Sequence, residues 1–164
     1  MPDQTEIVKD GAVVADQWQV IRDETGELPA GPCIVPLARW QAERDVLMAR
    51  GDIAVWLASD QSPKLLGDDI AKLPLIAVDF PGFADGRGFT YGRELREQHS
   101  FTGELRAIGE FMRDQLAYLS RCGFNSFALQ NSDLTAALAS LKNFSVHYQV
   151  SIDNPQPLFR ARHS

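Results

Sequence analysis

Cysteine is scarce in this chain: Cys33 and Cys122 stand far apart, with no Cys-x-x-Cys spacing. Two thiols cannot build a disulfide framework, nor supply the four thiolates an iron–sulfur cluster ordinarily takes. Histidine is equally sparse. His99, His147 and His163 fall in no metal-ligand spacing, so no metal site is expected. No stretch approaches the roughly 20 apolar residues that cross a bilayer. The opening Met1-Pro2-Asp3-Gln4-Thr5-Glu6 lacks the basic and apolar regions of a signal peptide, which makes the cytoplasm the expected location. An excess of positive charge is missing too. A net charge of −6 argues against non-specific binding to nucleic acid or to an anionic membrane surface. No Walker, dinucleotide, Ser/His/Asp or paired-carboxylate pattern stands out, and no flavin, nicotinamide or cluster signature is present, so no cofactor is expected.

What is there is an ordinary globular composition. With 164 residues, 45% apolar and 23% charged, the chain is long enough for one domain with a core of its own. Residues 1–32 read as a small peripheral β element, with Ile7-Val8 and Val13-Val14 flanking the turn signal Asp10-Gly11, and a further strand near Trp18–Ile21. From Cys33 to about residue 152, short apolar runs alternate with helical patterns. Strands are expected at Ile34-Val35, Ile53–Leu57, Leu75–Phe80, Glu104–Ile108, Ser126–Leu129 and Phe144–Val150. Helices are expected at Leu37–Arg50, Leu65–Leu73, Tyr91–His99, Phe111–Arg121 and Leu134–Lys142, with residues 153–164 as a tail. This alternation predicts an α/β fold with a mostly parallel sheet. An open sheet and a partial β/α barrel give the same linear pattern, so both stay open.

The candidate site is the glycine-rich loop between Phe80 and Phe89, which follows an apolar strand. Loops at the carboxyl ends of parallel strands are where α/β proteins build sites. With Thr90 as cap of the next helix, the backbone N–H groups of Gly86, Gly88 and Thr90 can hold an oxyanion such as phosphate, sulfate or sulfite, and Arg87 adds a planar fork of donors. Arg106 joins them if its strand position faces the same loop. The plainer alternative is that Asp85 and Arg87 pair with each other and only brace a turn. On the helix from Phe111, Gln115 falls within the apolar stripe and needs polar partners. Arg113 and Asp114 lie towards the opposite face, either solvated or forming a docking surface together with Gln115. Cys122 follows Arg121 at a helix C-terminus, which disfavours a thiolate, so a buried structural role is expected for it and for Cys33.

Three runs carry a resemblance: Leu75 to Phe89 (Leu-Ile-Ala-Val-Asp-Phe-Pro-Gly-Phe-Ala-Asp-Gly-Arg-Gly-Phe), Phe101 to Gly109, and Arg113-Asp-Gln-Leu116 with Arg121-Cys-Gly-Phe124. Together they resemble a bacterial family of unknown function, encoded beside sulfite reductase and the adenylylsulfate-reducing enzymes of cysteine biosynthesis. The resemblance runs from about Ile53 to the Pro157–Arg160 ending. It implies a part in sulfite reduction, where members are labelled oxidoreductases; with no redox cofactor signature of its own, the chain is read as an accessory protein of sulfur assimilation, partnered with sulfite reductase or its electron donor, with a sulfur oxyanion held at the loop. The family supplies no established catalytic residues. One alternative is a small-molecule enzyme with a phosphate- or sulfonate-binding loop, Asp85 as general base and Arg87 as anion clamp. Another is an assembly element that completes itself as a homodimer. Gly92, inside the helix after the loop, is expected to weaken that helix by up to about 1 kcal/mol relative to Ala.

Overall fold

The computed structural model of the chain describes residues 6–80, 87–110, 115–128, 134 and 136–139. Strands β1 (Glu6–Lys9) and β2 (Ala12–Ala15) form the expected hairpin, with Val8 opposite Val13 and Lys9 opposite Ala12. Its two turn residues, Asp10 and Gly11, have φ of 51° and 82°. Two successive left-handed residues give the turn whose twist matches that of the flanking strands. Then come β3 (Gln19–Val20), β4 (Cys33–Pro36), β5 (Ile53–Leu57), β6 (Leu75–Phe80), β7 (Glu104–Gly109) and β8 (Ser126–Phe127).

Among the described residues eight strands join one sheet in the order β2-β1-β8-β7-β6-β5-β4-β3. From β3 to β8 the neighbours are parallel and follow chain order; only β1 is antiparallel to β8 and to β2. Right-handed crossovers that always step in one direction put every connecting helix on the same face. The helices are α1 (Leu37–Ala42), α2 (Arg44–Arg50), α3 (Arg87–Glu97) and α4 (Leu116–Arg121), with a 3₁₀ segment at Pro63–Lys72. Their buried Leu37, Trp40, Leu47, Leu66, Leu95, Leu116 and Leu119 all belong to a single core with Val55, Val78 and Leu105 of the sheet.

The two edges of this sheet are joined by only three residues, 16–18, between Ala15 of β2 and Gln19 of β3. Four residue steps span at most about 14 Å, whereas eight flat strands at about 4.8 Å spacing would separate the edges by roughly 34 Å. The sheet must therefore curl, and it forms a half-barrel. This resolves the choice between open sheet and partial barrel. The connector lies over the inner face: Asp16 reaches Arg106, and Trp18 packs with Ile34, Ala54, Leu75, Ala77 and Ile108.

Several elements differ in detail from the sequence reading. The helix expected over 37–50 breaks at Glu43 into α1 and α2, and Gly51 closes it in the left-handed region at φ 84°. The segment at 65–73 is a 3₁₀ run kinked at Gly67. The helix after the glycine-rich loop contains Arg87, so Thr90 sits inside its first turns and is not its cap. Gly92 has a packing reason: a Cβ there would come within 2.5 Å of the Phe124 ring and 3.0 Å of the Cys122 carbonyl. Gly88 is the same case, 2.5 Å from the Phe80 ring. These glycines let α3 lie close against β6 and the turn before β8. The strand expected at 144–150 and the tail lie outside the described residues.

Candidate functional site

Each strand sends alternate residues to opposite faces, and the register places Asp79, Ala77 and Leu75 of β6 on the inner face with Trp56 of β5 and Ile108, Arg106 and Glu104 of β7. Asp79 and Trp56 lie near the carboxyl ends of their strands. In barrels of this kind that end carries the functional groups.

Arg22, two residues beyond β3, reaches across to both. Its Nη1 is 3.2 Å from Asp79 Oδ2 and its Nη2 donates to Asp79 Oδ1 at 3.2 Å. Its guanidinium carbon lies 4.7 Å from the centre of the Trp56 ring. Trp56 Nε1 donates to the Ile21 carbonyl at 2.9 Å, fixing the backbone beside Arg22. The carbonyls of Asp23, Thr25 and Gly26 accept from the buried Arg39 of α1. Gly109, at φ 91°, ends β7 against the Asp79 carboxylate; a Cβ there would meet Oδ1 at 2.6 Å and the Phe80 carbonyl at 2.5 Å. The Arg22 side chain is 50% exposed and Asp79 18%, so solvent reaches the pair.

On the helix side of the same rim, Arg87 Nη2 donates to Ser59 Oγ at 3.3 Å, and the Tyr91 hydroxyl donates to the Ser59 carbonyl at 2.7 Å. Ser59 lies just past β5. Arg87 thus stands beyond the carboxyl end of β5, with Gly88 and Thr90 in the helix behind it. Asp85 and Gly86 lie outside the described residues, as do Arg113 and Asp114. Gln115 is partly buried at the start of α4.

Arg106 is not brought to this rim. It is 1% exposed and tied to Asp16 Oδ1 (2.9 Å), Glu104 Oε2 (2.7 Å) and Ser126 Oγ (3.1 Å), with Lys9 3.3 Å from Glu104. Arg106 stands three residues short of the end of β7, so its fork meets the connector over the inner face and not an incoming ligand. Burial pushes the Glu104 carboxyl up, but Arg106, Ser126 and Lys9 together hold it below the usual carboxylate range. Among the described residues no group of three or more His, Cys, Asp or Glu could hold a metal ion. Both cysteines are buried. Burial pushes both thiols up, opposed by Arg50 at Cys33 and by Arg93 at Cys122, so neither is poised as a nucleophile.

Arg22, Trp56 and Asp79 escape the sequence reading. The available signal is Asp79, the one charge in the apolar run Leu-Ile-Ala-Val-Asp-Phe. Nothing local marks Arg22, 57 residues away.

The chain belongs to the family described as bacterial protein of unknown function (DUF934), whose model matches residues 54–159. No curated protein and no solved structure matches the chain. Among the described residues no helix is long and apolar enough to cross a membrane.

Proposed function

We propose that this chain is an accessory protein of sulfite reduction that binds a sulfur oxyanion at the helix-side rim and acts with sulfite reductase or its electron donor. The observation that supports it best is the position of Arg87: in the first described turn of α3, beside the Ser59 hydroxyl, at the carboxyl ends of β5 and β6. A guanidinium fork and a helix of 11 residues pointing its N-terminal end the same way both favour an anion there. The tie to sulfite comes from the family's association with sulfite reductase, and the docking role of Arg113, Asp114 and Gln115 belongs to the same reading.

The test is sulfite reductase turnover, with its natural donor, across a titration of this protein. A saturable change with the wild type that is lost with Arg87→Ala supports the reading. No change, together with no complex on gel filtration, overturns it.

A further inference from the structure

We propose that Arg22, Trp56 and Asp79 form a second binding site, for a small carboxylic acid that carries a hydroxyl or amino group beside its carboxylate. In this site the ligand's carboxylate takes the Arg22 fork in place of Asp79, and the released Asp79 accepts a hydrogen bond from the neighbouring donor. This site is independent of the oxyanion reading at Arg87.

Arg22 is prepared before any ligand arrives. The Trp56 ring supports its guanidinium at 4.7 Å, and the Trp56 indole N–H holds the Ile21 carbonyl. Arg39 holds the carbonyls that follow. A fork whose plane is already fixed loses little freedom on binding. Its present partner reveals the group it suits, because both Asp79 oxygens lie on it, each at 3.2 Å. Those contacts are longer than the roughly 2.7–2.9 Å of a tight charge-assisted hydrogen bond, so a ligand free to adjust can improve on them.

The contrast with Arg106 separates a binding pair from a structural one. Arg106 is sealed with Asp16 and Glu104 at 2.9 and 2.7 Å. Arg22 is half exposed, at the strand ends, and its partner is a single carboxylate. Asp79 in turn is given room by Gly109, where any larger residue would press on Oδ1. Once displaced, that carboxylate faces the ligand as an acceptor. A ligand with a donor next to its carboxylate offsets the repulsion between the two acids, whereas a bare acid does not.

The experiment is a tryptophan-emission titration of the full chain with glycolate, glycine, acetate and sulfate, with calorimetry in parallel. The wild type should respond saturably to glycolate or glycine, and at least tenfold more weakly to acetate. Arg22→Ala should lose the response. Arg22→Lys, which keeps the charge but not the fork, should weaken it at least tenfold while melting like the wild type. Asp79→Asn should bind acetate several-fold more tightly and no longer prefer glycolate to acetate, a change that a merely structural pair would not produce. Arg87→Ala should leave the glycolate response unchanged. The site is overturned if no probe gives saturable binding by either method, or if the response survives Arg22→Ala. A response to sulfate alone that vanishes in Arg87→Ala also overturns it, and leaves the oxyanion reading standing.

Discussion

The two faces of the half-barrel are built from alternate residues of the same strands, yet they solve different problems. On the helix face Ile76, Val78, Phe80, Leu105 and Ala107 merge with the helices into one continuous apolar core. The inner face has a small apolar patch, Ile34, Ala54, Leu75, Ala77 and Ile108, and beside it carries charge: Arg106 and Glu104 deep within, Asp79 at the mouth. A face covered by helices can be filled by shape alone. Among the described residues the interior of the half-barrel is crossed by a short connector, and the polar groups there are paired, or exposed where they can work.

The largest effect should come from breaking the deep pairing. Arg106→Ala leaves Asp16 and Glu104 buried without their shared cation, and should lower stability by about 3–5 kcal/mol in urea unfolding. Replacing Asp16, Glu104 and Arg106 together by apolar residues should recover most of that loss, because the cluster offsets its own desolvation and adds little beyond it. If the triple replacement is as damaging as Arg106→Ala, the inner face depends on charge for more than pairing.

One residue earlier on the same strand, Leu105→Ala removes side-chain volume from the helix face and should cost about 2–5 kcal/mol. Gly92→Ala tests the closeness of α3. Crowding of the Phe124 ring, about 1–3 kcal/mol, should offset or outweigh the helix-propensity gain of about 1, for a net loss of up to about 2. A stabilised Gly92→Ala protein would mean that the helix face is looser than its packing implies.

Acid should probe both sides at once. Asp69, on the helix side, is held below the usual carboxylate range by Arg44, against the opposing push of burial and with help from Trp40, while Glu104 is lowered by its cationic neighbours. With folded values below the unfolded ones, each carboxylate's contribution is complete above about pH 5, begins to fade around its unfolded value and is lost as pH falls through the folded value. Asp69→Asn and Glu104→Gln should each make melting temperature less sensitive to acid below about pH 5. Arg22→Ala should do least, about 1 kcal/mol or less, because an ion pair that meets solvent contributes little to folding. A much larger loss would make Arg22 a structural residue like Arg106.

Much of this fold is legible locally. The Asp10-Gly11 turn, the strands at 53–57 and 75–80, and the αL stops at Gly51 and Gly123 all follow from nearest-neighbour chemistry. The candidate site is legible on one side only. Arg87 stands out because it lies within a glycine-rich loop after an apolar strand. Arg22 sits in a plain polar stretch, and Arg106 looks free for use at the loop because its partners Asp16 and Ser126 are 90 and 20 residues away.

Composition and patterns a few residues long were enough for the α/β class and the parallel β/α alternation. Tertiary structure decided the rest. It turned the linear order of strands into a half-barrel, because a three-residue connector between the edge strands forces the sheet to curl. The curl then chose between the two arginines, sealing Arg106 against the connector and setting Arg22 and Asp79 together at the mouth.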